Sequence, residues 1–310
     1  MCGIVGLFIK QPALRVHLGE WLAAMLAEMA ERGPDSAGFA VYGDTTPARH
    51  CKLCLLARGE AVDWQELASR LRQEFGEVGV LRAHGNHAVL QVASAAAEVR
   101  SWLAAHAPAL AVIASGSRIE IYKQKGPPQQ VIQAFDLGGM HGTHALGHTR
   151  MATESDVTVE HSHPFSTGLD LCLVHNGSLS NHNRLRRQLA RHGVCFSTDN
   201  DSEVAAGYLQ WRLAEGADVE QALQAALADL DGFYTFAVGS RDGLAVLRDP
   251  IGCKPAVLAE TDDWAAMASE FCAIATLPGA EQARIWEPVP GRIYAWSHVG
   301  MDAPLGNKAA

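Results

Sequence analysis

The chain has 310 residues, a formal net charge of −9, 48% hydrophobic and 19% charged residues, so it has the make-up of a globular protein of one large or two modest domains. The acidic balance excludes an overall basic footprint for nucleic acid or an anionic membrane surface. No run approaches the ~20 apolar residues of a bilayer-spanning helix, no secretory signal opens the chain, and seven cysteines without a framework suit a reducing compartment, so a cytoplasmic location is expected.

The first predicted element is a buried strand over Cys2–Ile9, apolar and β-branched. A helix follows from about Gly19 to Glu31, with Trp21, Leu22, Met25, Leu26 and Met29 on one face. Arg32-Gly33-Pro34-Asp35 breaks it, and Ser36–Tyr42 has the pattern of a second strand. Residues 48–137 have their own rhythm: strand (48–55), helix (Trp64–Phe75), strands (Val78–Arg82, His87–Val92), helix (Ala95–Ala105), strands (Ala109–Ala114, Arg118–Lys123). This suits a small two-layer α+β insert closed by Gly126-Pro127-Pro128. Short strands and turns dominate from Gly138 to Gly177. A helix over Asn181–Arg191 follows, with Ser180 as N-cap and Gly193 past its end. Its Arg184, Arg186, Arg187 and Arg191 form a solvated face. Asp201 opens a helix to Glu215, Asp218 caps another to Leu230, and four strand patterns run from Phe233 to Ser269.

Cys2 is the first residue that carries chemistry. A small residue after Met1 favours removal of the methionine, which would place a nucleophile and a base in one residue. An α-amine titrates near ~7.7–8.0, so at neutral pH a useful fraction can accept the thiol proton. A lone cysteine at position 2 is more often simply a small buried residue, and the rest of the chain has to decide.

A cysteine that attacks an amide of an α-amino acid needs a cation for the α-carboxylate, an anion for the α-ammonium and donors for an oxyanion. Arg150, in Gly147-His-Thr-Arg-Met-Ala-Thr153, offers a guanidinium fork that matches a carboxylate, and Thr153 a hydroxyl. Asn176 and Gly177, in Val174-His-Asn-Gly177, offer a side-chain amide and a backbone N–H as an oxyanion hole. Asp201 offers the carboxylate. Each also has an ordinary structural role open to it: Asn-Gly as a hairpin turn, Asp201 as an N-cap, Arg150 as a surface charge.

In order, Cys2-Gly-Ile-Val-Gly6, Arg32-Gly-Pro-Asp-Ser-Ala-Gly38, Gly147–Thr153, His175-Asn-Gly177 and Asp199-Asn-Asp-Ser-Glu203 resemble the motifs of the class II glutamine amidotransferases. Arg248–Pro255 and Ala268-Ser-Glu270 are similar to that family's closing strands. The resemblance covers residues 2–43 and about 138–296. It implies an α+β chain with the four-layer αββα fold of N-terminal nucleophile hydrolases, here carrying the insert at 48–137. It further implies Cys2 as nucleophile and base, Asn176 and Gly177 at the oxyanion, Arg150, Thr153 and Asp201 on glutamine, and Arg32 and Gly33, on the loop beside Cys2, as further substrate-binding residues. Glu154 stands where several relatives carry His or Asn.

The whole chain is most similar to the amidotransferase-like subunit of glutamate synthase-like complexes, N-methylglutamate synthase among them. This implies glutamine as substrate, no cofactor in this chain, and a flavin-containing synthase subunit as partner; the insert, whose residues supply none of the site motifs, is expected to dock that partner. The competing expectation is a non-catalytic subunit that organises such a complex or senses glutamine or glutamate. Cys51-Lys-Leu-Cys54 lacks a second pair at zinc spacing. His141, His144 and His148 span a Gly-rich loop and a strand, and no metal site is assigned to them. His175 is expected to support Asn176 by a hydrogen bond or to serve packing.

Overall fold

The computed structural model describes residues 2–59, 61–151 and 158–298. In chain order these form β1 (Gly3–Ile9), α1 (Leu18–Glu28), β2 (Ser36–Tyr42), β3 (Cys51–Ala57), α2 (Trp64–Phe75), β4 (Val78–His84), β5 (His87–Val92), α3 (Ala96–His106) and β6 (Leu110–Gly116). Next come β7 (Ile119–Lys125), α4 (Pro128–Ala134), β8 (His144–Arg150), β9 (Cys172–Leu179), α5 (His182–Arg191), α6 (Asp201–Ala214) and α7 (Val219–Asp229). The last described part holds β10 (Gly232–Ser240), β11 (Gly243–Arg248), β12 (Val257–Glu260), β13 (Trp264–Ala268), α8 (Phe271–Ile274), β14 (Arg284–Trp286) and β15 (Ile293–Ser297).

A strand without a polar face must be covered on both sides. β1 is buried at every position and lies inside a seven-stranded sheet of order β14-β12-β13-β1-β8-β2-β7. A second sheet, β15-β11-β10-β9, packs against it, with β1 and β8 facing β9, β10 and β11. Helices α1, α4 and α8 cover the outer face of the large sheet, through Leu22, Met25 and Leu26 among others. Helices α5, α6 and α7 cover the outer side of the second sheet, where Leu185, Leu189, Leu209 and Leu223 join its core. The stacking order is therefore helix, sheet, sheet, helix. Burying each such aliphatic side chain stabilises the stack by about 1.5–3 kcal/mol. Among the described residues no helix is long and apolar enough to cross a membrane.

The expected insert divides. Strands β3 to β6 make a third sheet, β4-β5-β3-β6, that shares a core with α2 and α3 through Leu53, Leu55, Leu67, Leu71 and Val99. β7 was expected to complete it, yet β7 pairs antiparallel with β2 over its whole length and forms an edge of the large sheet. Ile119, Ile121 and Tyr122 are the cause: they are buried in the large-sheet core. An alternating apolar pattern predicts a strand but not which sheet receives it. The other face of the insert sheet contributes Cys54, Val89 and Ala114 to that same core. Cys51 faces the insert core instead, so the two cysteines of the C-x-x-C lie on opposite faces of β3 as free thiols.

Two local expectations also change. Gly126-Pro127-Pro128 does not only close an element: Pro128 starts α4 at a first-turn position, where its missing N–H costs nothing. Ser180 does not cap α5; its hydroxyl donates to the Asp231 main-chain oxygen, and Asn181 is the residue before the helix.

Asp170 ties the β6–β7 turn to the segment before β9. Its buried carboxylate accepts from Ser117 N (2.7 Å), Ser117 Oγ (2.8 Å), Arg118 N (2.8 Å) and Ile119 N (3.0 Å). Asp170→Ala leaves those main-chain donors without an acceptor and is expected to lower stability by on the order of 3 kcal/mol. Urea unfolding checks this, and a loss below about 1 kcal/mol would contradict it.

Candidate active site

The pairing of β1 with β8 aligns Gly3 with Thr149, and that of β8 with β2 aligns Arg150 with Ser36. Carried one residue further, the first register sets Cys2 beside Arg150 at one end of the large sheet. The main chain there is held from several sides. The Cys2 carbonyl accepts from Arg32 Nε (3.0 Å) and from Asn176 Nδ2 (3.2 Å), so a residue of the second sheet reaches across to the first. Arg32 is itself held by the Glu270 carboxylate. Two residues on, Ile4 N donates to Ser269 Oγ and Ser269 N donates to Ile4 O, both at 2.9 Å. The Cys2 thiol is free and half-buried.

Gly33 lets the Arg32 turn lie flat on β8. A Cβ there would stand 2.6 Å from the Arg150 main-chain nitrogen and carbonyl carbon, closer than real atoms approach. Asp35 N then donates to Arg150 O at 3.1 Å, which closes the turn onto the strand. Gly177 has φ +147°, and a Cβ would lie 2.0 Å from Phe233 O, so only glycine fits next to Asn176. The amide of Asn176 is buried. With one N–H on Cys2 O, it retains a second for another acceptor.

Asp201 is the first residue of α6. The cap role expected of it belongs to Asn200, whose side chain accepts from Ser202 N at 2.8 Å. The Asp201 carboxylate accepts from Leu179 N at 2.9 Å, two residues along β9 from Gly177. Cys2, Arg32, Gly33, Arg150 and Asn176 are thus brought together directly, with Gly177 and Asp201 joined to them along β9. Thr153 and Glu154 lie outside the described residues.

His175 does not hydrogen-bond Asn176. Successive strand residues point to opposite faces, so Asn176 turns toward Cys2 while His175 turns toward α6 and meets Ser202 Oγ at 2.9 Å. The three histidines of the Gly-rich region part company: His141 contacts Asp44, His144 stacks on Tyr42, and His148 stacks on His163. Among the described residues no three His, Cys, Asp or Glu side chains converge as a metal set. A cavity of ≈ 510 Å³ opens at the far end of β2, but its charges serve one another, Lys52 with Glu120 at 2.8 Å and His141 with Asp44 at 3.0 Å. Sequence reasoning missed the contributions of Glu270, Ser269, Ser202 and His163. The run Asp199–Glu203 held a clue in Glu203, whose buried carboxylate accepts from Ser197 N, Thr198 N and Thr198 Oγ1, each at 2.8 Å.

Burial sets the charge state beneath the site. It pulls His148 down to about 3 and lowers His144, His163 and His175 as well. These imidazoles are neutral when folded and take up protons on unfolding once the pH falls below their ordinary value of about 6.5. Stability is therefore intact above about pH 6.5 and drains away as the pH falls toward the folded values, by about 1.4 kcal/mol per pH unit for each titrating residue. Urea unfolding at about pH 7 and about pH 5 is expected to show the loss. His144→Phe, remote from Cys2, is expected to reduce it; an unchanged slope would contradict the assignment.

Comparison with known proteins places the chain among glutamine amidotransferases. A family model described as a glutamine amidotransferase domain matches residues 148–276. The chain is 51% identical over 302 residues to the glutamine amidotransferase-like protein GlxB of Rhizobium meliloti (strain 1021), covering 96% of this chain and 99% of that one. It is 33% identical over 165 residues to the amidophosphoribosyltransferase of Methanocaldococcus jannaschii, covering 52% of this chain and 35% of that protein. Among solved structures, the glutamine phosphoribosylpyrophosphate amidotransferase from B. subtilis, complexed with ADP and GMP, superposes with a TM-score of 0.61 at 20% identity. That match covers 96% of this chain and 47% of the larger one, a likeness of fold to about half of it. The fold is mixed α/β, with open sheets, and is like that of this amidotransferase.

Proposed function

This chain belongs to the class II glutamine amidotransferase family, and we propose that it hydrolyses glutamine to glutamate and ammonia with Cys2 as the nucleophile. In this reading Met1 is removed and the α-amine of Cys2 takes the thiol proton, directly or through a water. The thiolate attacks the side-chain amide carbon. Asn176 Nδ2–H and Gly177 N–H receive the oxyanion. The C–N bond breaks, the leaving nitrogen takes the proton from the α-ammonium, and ammonia departs. Water then attacks the γ-glutamyl thioester and gives a proton to the α-amine, the C–S bond breaks, the sulfur takes that proton back, and glutamate is released. Arg150 and Thr153 bind the substrate carboxylate, Asp201 its ammonium, and Arg32 and Gly33 hold the main chain at Cys2. The four-layer αββα fold is part of the same reading.

The observation that supports it most is the grip of Arg32 and Asn176 on the Cys2 carbonyl beside Arg150. A nucleophile whose main chain is fixed from both sheets loses little freedom on reaction. The nitrogen acceptor in this reading is a glutamate synthase-like or N-methylglutamate synthase-like partner with a flavin-containing subunit, docked through the insert; the support here is the motif pattern of the whole chain.

Ammonia release from glutamine tests the reading. Cys2→Ala is expected to abolish it, and Asn176→Ala to lower kcat by about 10²–10³ while the protein stays folded. Equal rates in wild type and Cys2→Ala would overturn the proposal. The intact mass is expected to lack Met1.

A further inference from the structure

Beneath the proposed glutamine site, one hydroxyl gathers side chains from separate parts of the chain. Ser202 is 2% exposed. Its Oγ lies 2.9 Å from His175 Nδ1, 3.3 Å from His163 Nε2 and 3.3 Å from Asp201 Oδ1. His163 stacks on His148 with 3.9 Å between ring centroids, and His148 Nε2 donates to the His175 carbonyl at 3.1 Å. The contributors are β8, the segment before β9, β9 itself and the start of α6. The reaction as described uses none of Ser202, His163 or His148.

Counting protons assigns the directions. A serine hydroxyl has one proton and two acceptor lone pairs, and a carboxylate only accepts. The Ser202 proton therefore goes to Asp201 Oδ1, and the two imidazoles donate to Ser202 Oγ. That assignment places a proton on His175 Nδ1 and on His163 Nε2. His175 Nε2 and His163 Nδ1, both buried, have no hydrogen-bond partner, as suits bare lone pairs. Asp201 Oδ2 is taken up by Leu179 N at 2.9 Å. Both carboxylate oxygens are thus fixed, while the side chain keeps 22% of its surface open.

We propose that Ser202 is a positioning residue: its hydroxyl, oriented by His175 and His163, locks the Asp201 carboxylate in the orientation that receives the α-ammonium of glutamine. The inference rests on the glutaminase reading and deepens it. Without the hydroxyl the carboxylate can turn about its last torsion, and the imidazole donors lose their acceptor. The effect should reach only ligands that carry the ammonium, because Asp201 touches no other part of the substrate.

The test measures ammonia release from glutamine, with glutaramate, which is glutamine without its α-ammonium, as a competing ligand. Ser202→Ala is expected to raise KM for glutamine about tenfold with kcat within about twofold, and to leave the glutaramate inhibition constant within about twofold. Ser202→Cys, close in volume and a weaker donor, should shift in the same direction if Ser202→Ala fails to fold. Ser202→Thr, which keeps the hydroxyl, is expected to restore glutamine binding. In an Asp201→Asn background, Ser202→Ala is expected to add little further loss. Equal weakening of both ligands would show a merely structural role and overturn the inference, as would an unchanged KM for glutamine. A wild-type chain that neither hydrolyses nor binds glutamine is a different outcome: it overturns the glutaminase reading, and the positioning role falls with it.

Discussion

The Cys2 carbonyl accepts a hydrogen bond from Arg32 and another from Asn176, and the site is arranged around that doubly held group. Arg32 reaches it because the Arg32–Gly33 turn lies on β8, an approach that any side chain at position 33 would block. Asn176 reaches it because the two sheets pack face to face, with β9 opposite β1. The grip therefore depends on tertiary packing as much as on local chain geometry. It also links the two sheets at the point where chemistry is proposed, so a shift between them would be felt at the nucleophile.

Charge beneath the site is kept low. Histidines 148, 163 and 175 are buried and neutral, and they are joined by hydrogen bonds and ring stacking rather than by ion pairs. A buried imidazolium there would compete with a substrate ammonium for the Asp201 carboxylate. Neutral rings can orient that carboxylate through Ser202 without offsetting its charge, which suits a group whose proposed task is to bind a cation. In the proposed recognition, the guanidinium of Arg150 supplies the opposite sign. The proposed recognition of an α-amino acid thus rests on one charge from each sheet system, Arg150 at the end of β8 and Asp201 where α6 meets β9.

Much of this was legible in the sequence, for identifiable reasons. Fully apolar runs such as Gly3–Ile9 have only one way to be buried, and β2 runs over Ser36–Tyr42 as expected. Asp218 caps α7 in a reciprocal capping box with Gln221, and Gly193 follows α5 at positive φ. Cys2, Arg150, Asn176, Gly177 and Asp201 stand out in the sequence because a nucleophile and groups for carboxylate, ammonium and oxyanion each demand a particular residue. What stayed hidden depends on partners far along the chain. β7 carries an ordinary alternating pattern, and only the large-sheet core decides that it leaves the insert. Glu270 and Ser269 meet Arg32 and Ile4 across more than two hundred residues. Of the two roles expected of His175, the hydrogen bond to Asn176 fails because adjacency in sequence means opposite faces in a strand.

The central claim is that Cys2 attacks glutamine and carries its acyl group. Rapid acid quench of enzyme mixed with glutamine, followed by mass analysis of the N-terminal peptide, tests this most directly. The account predicts a γ-glutamyl adduct on the peptide that begins with Cys2, formed within one turnover and absent from Cys2→Ala. Ammonia release at the wild-type rate with no adduct on that peptide, or with an adduct on another cysteine, would contradict it.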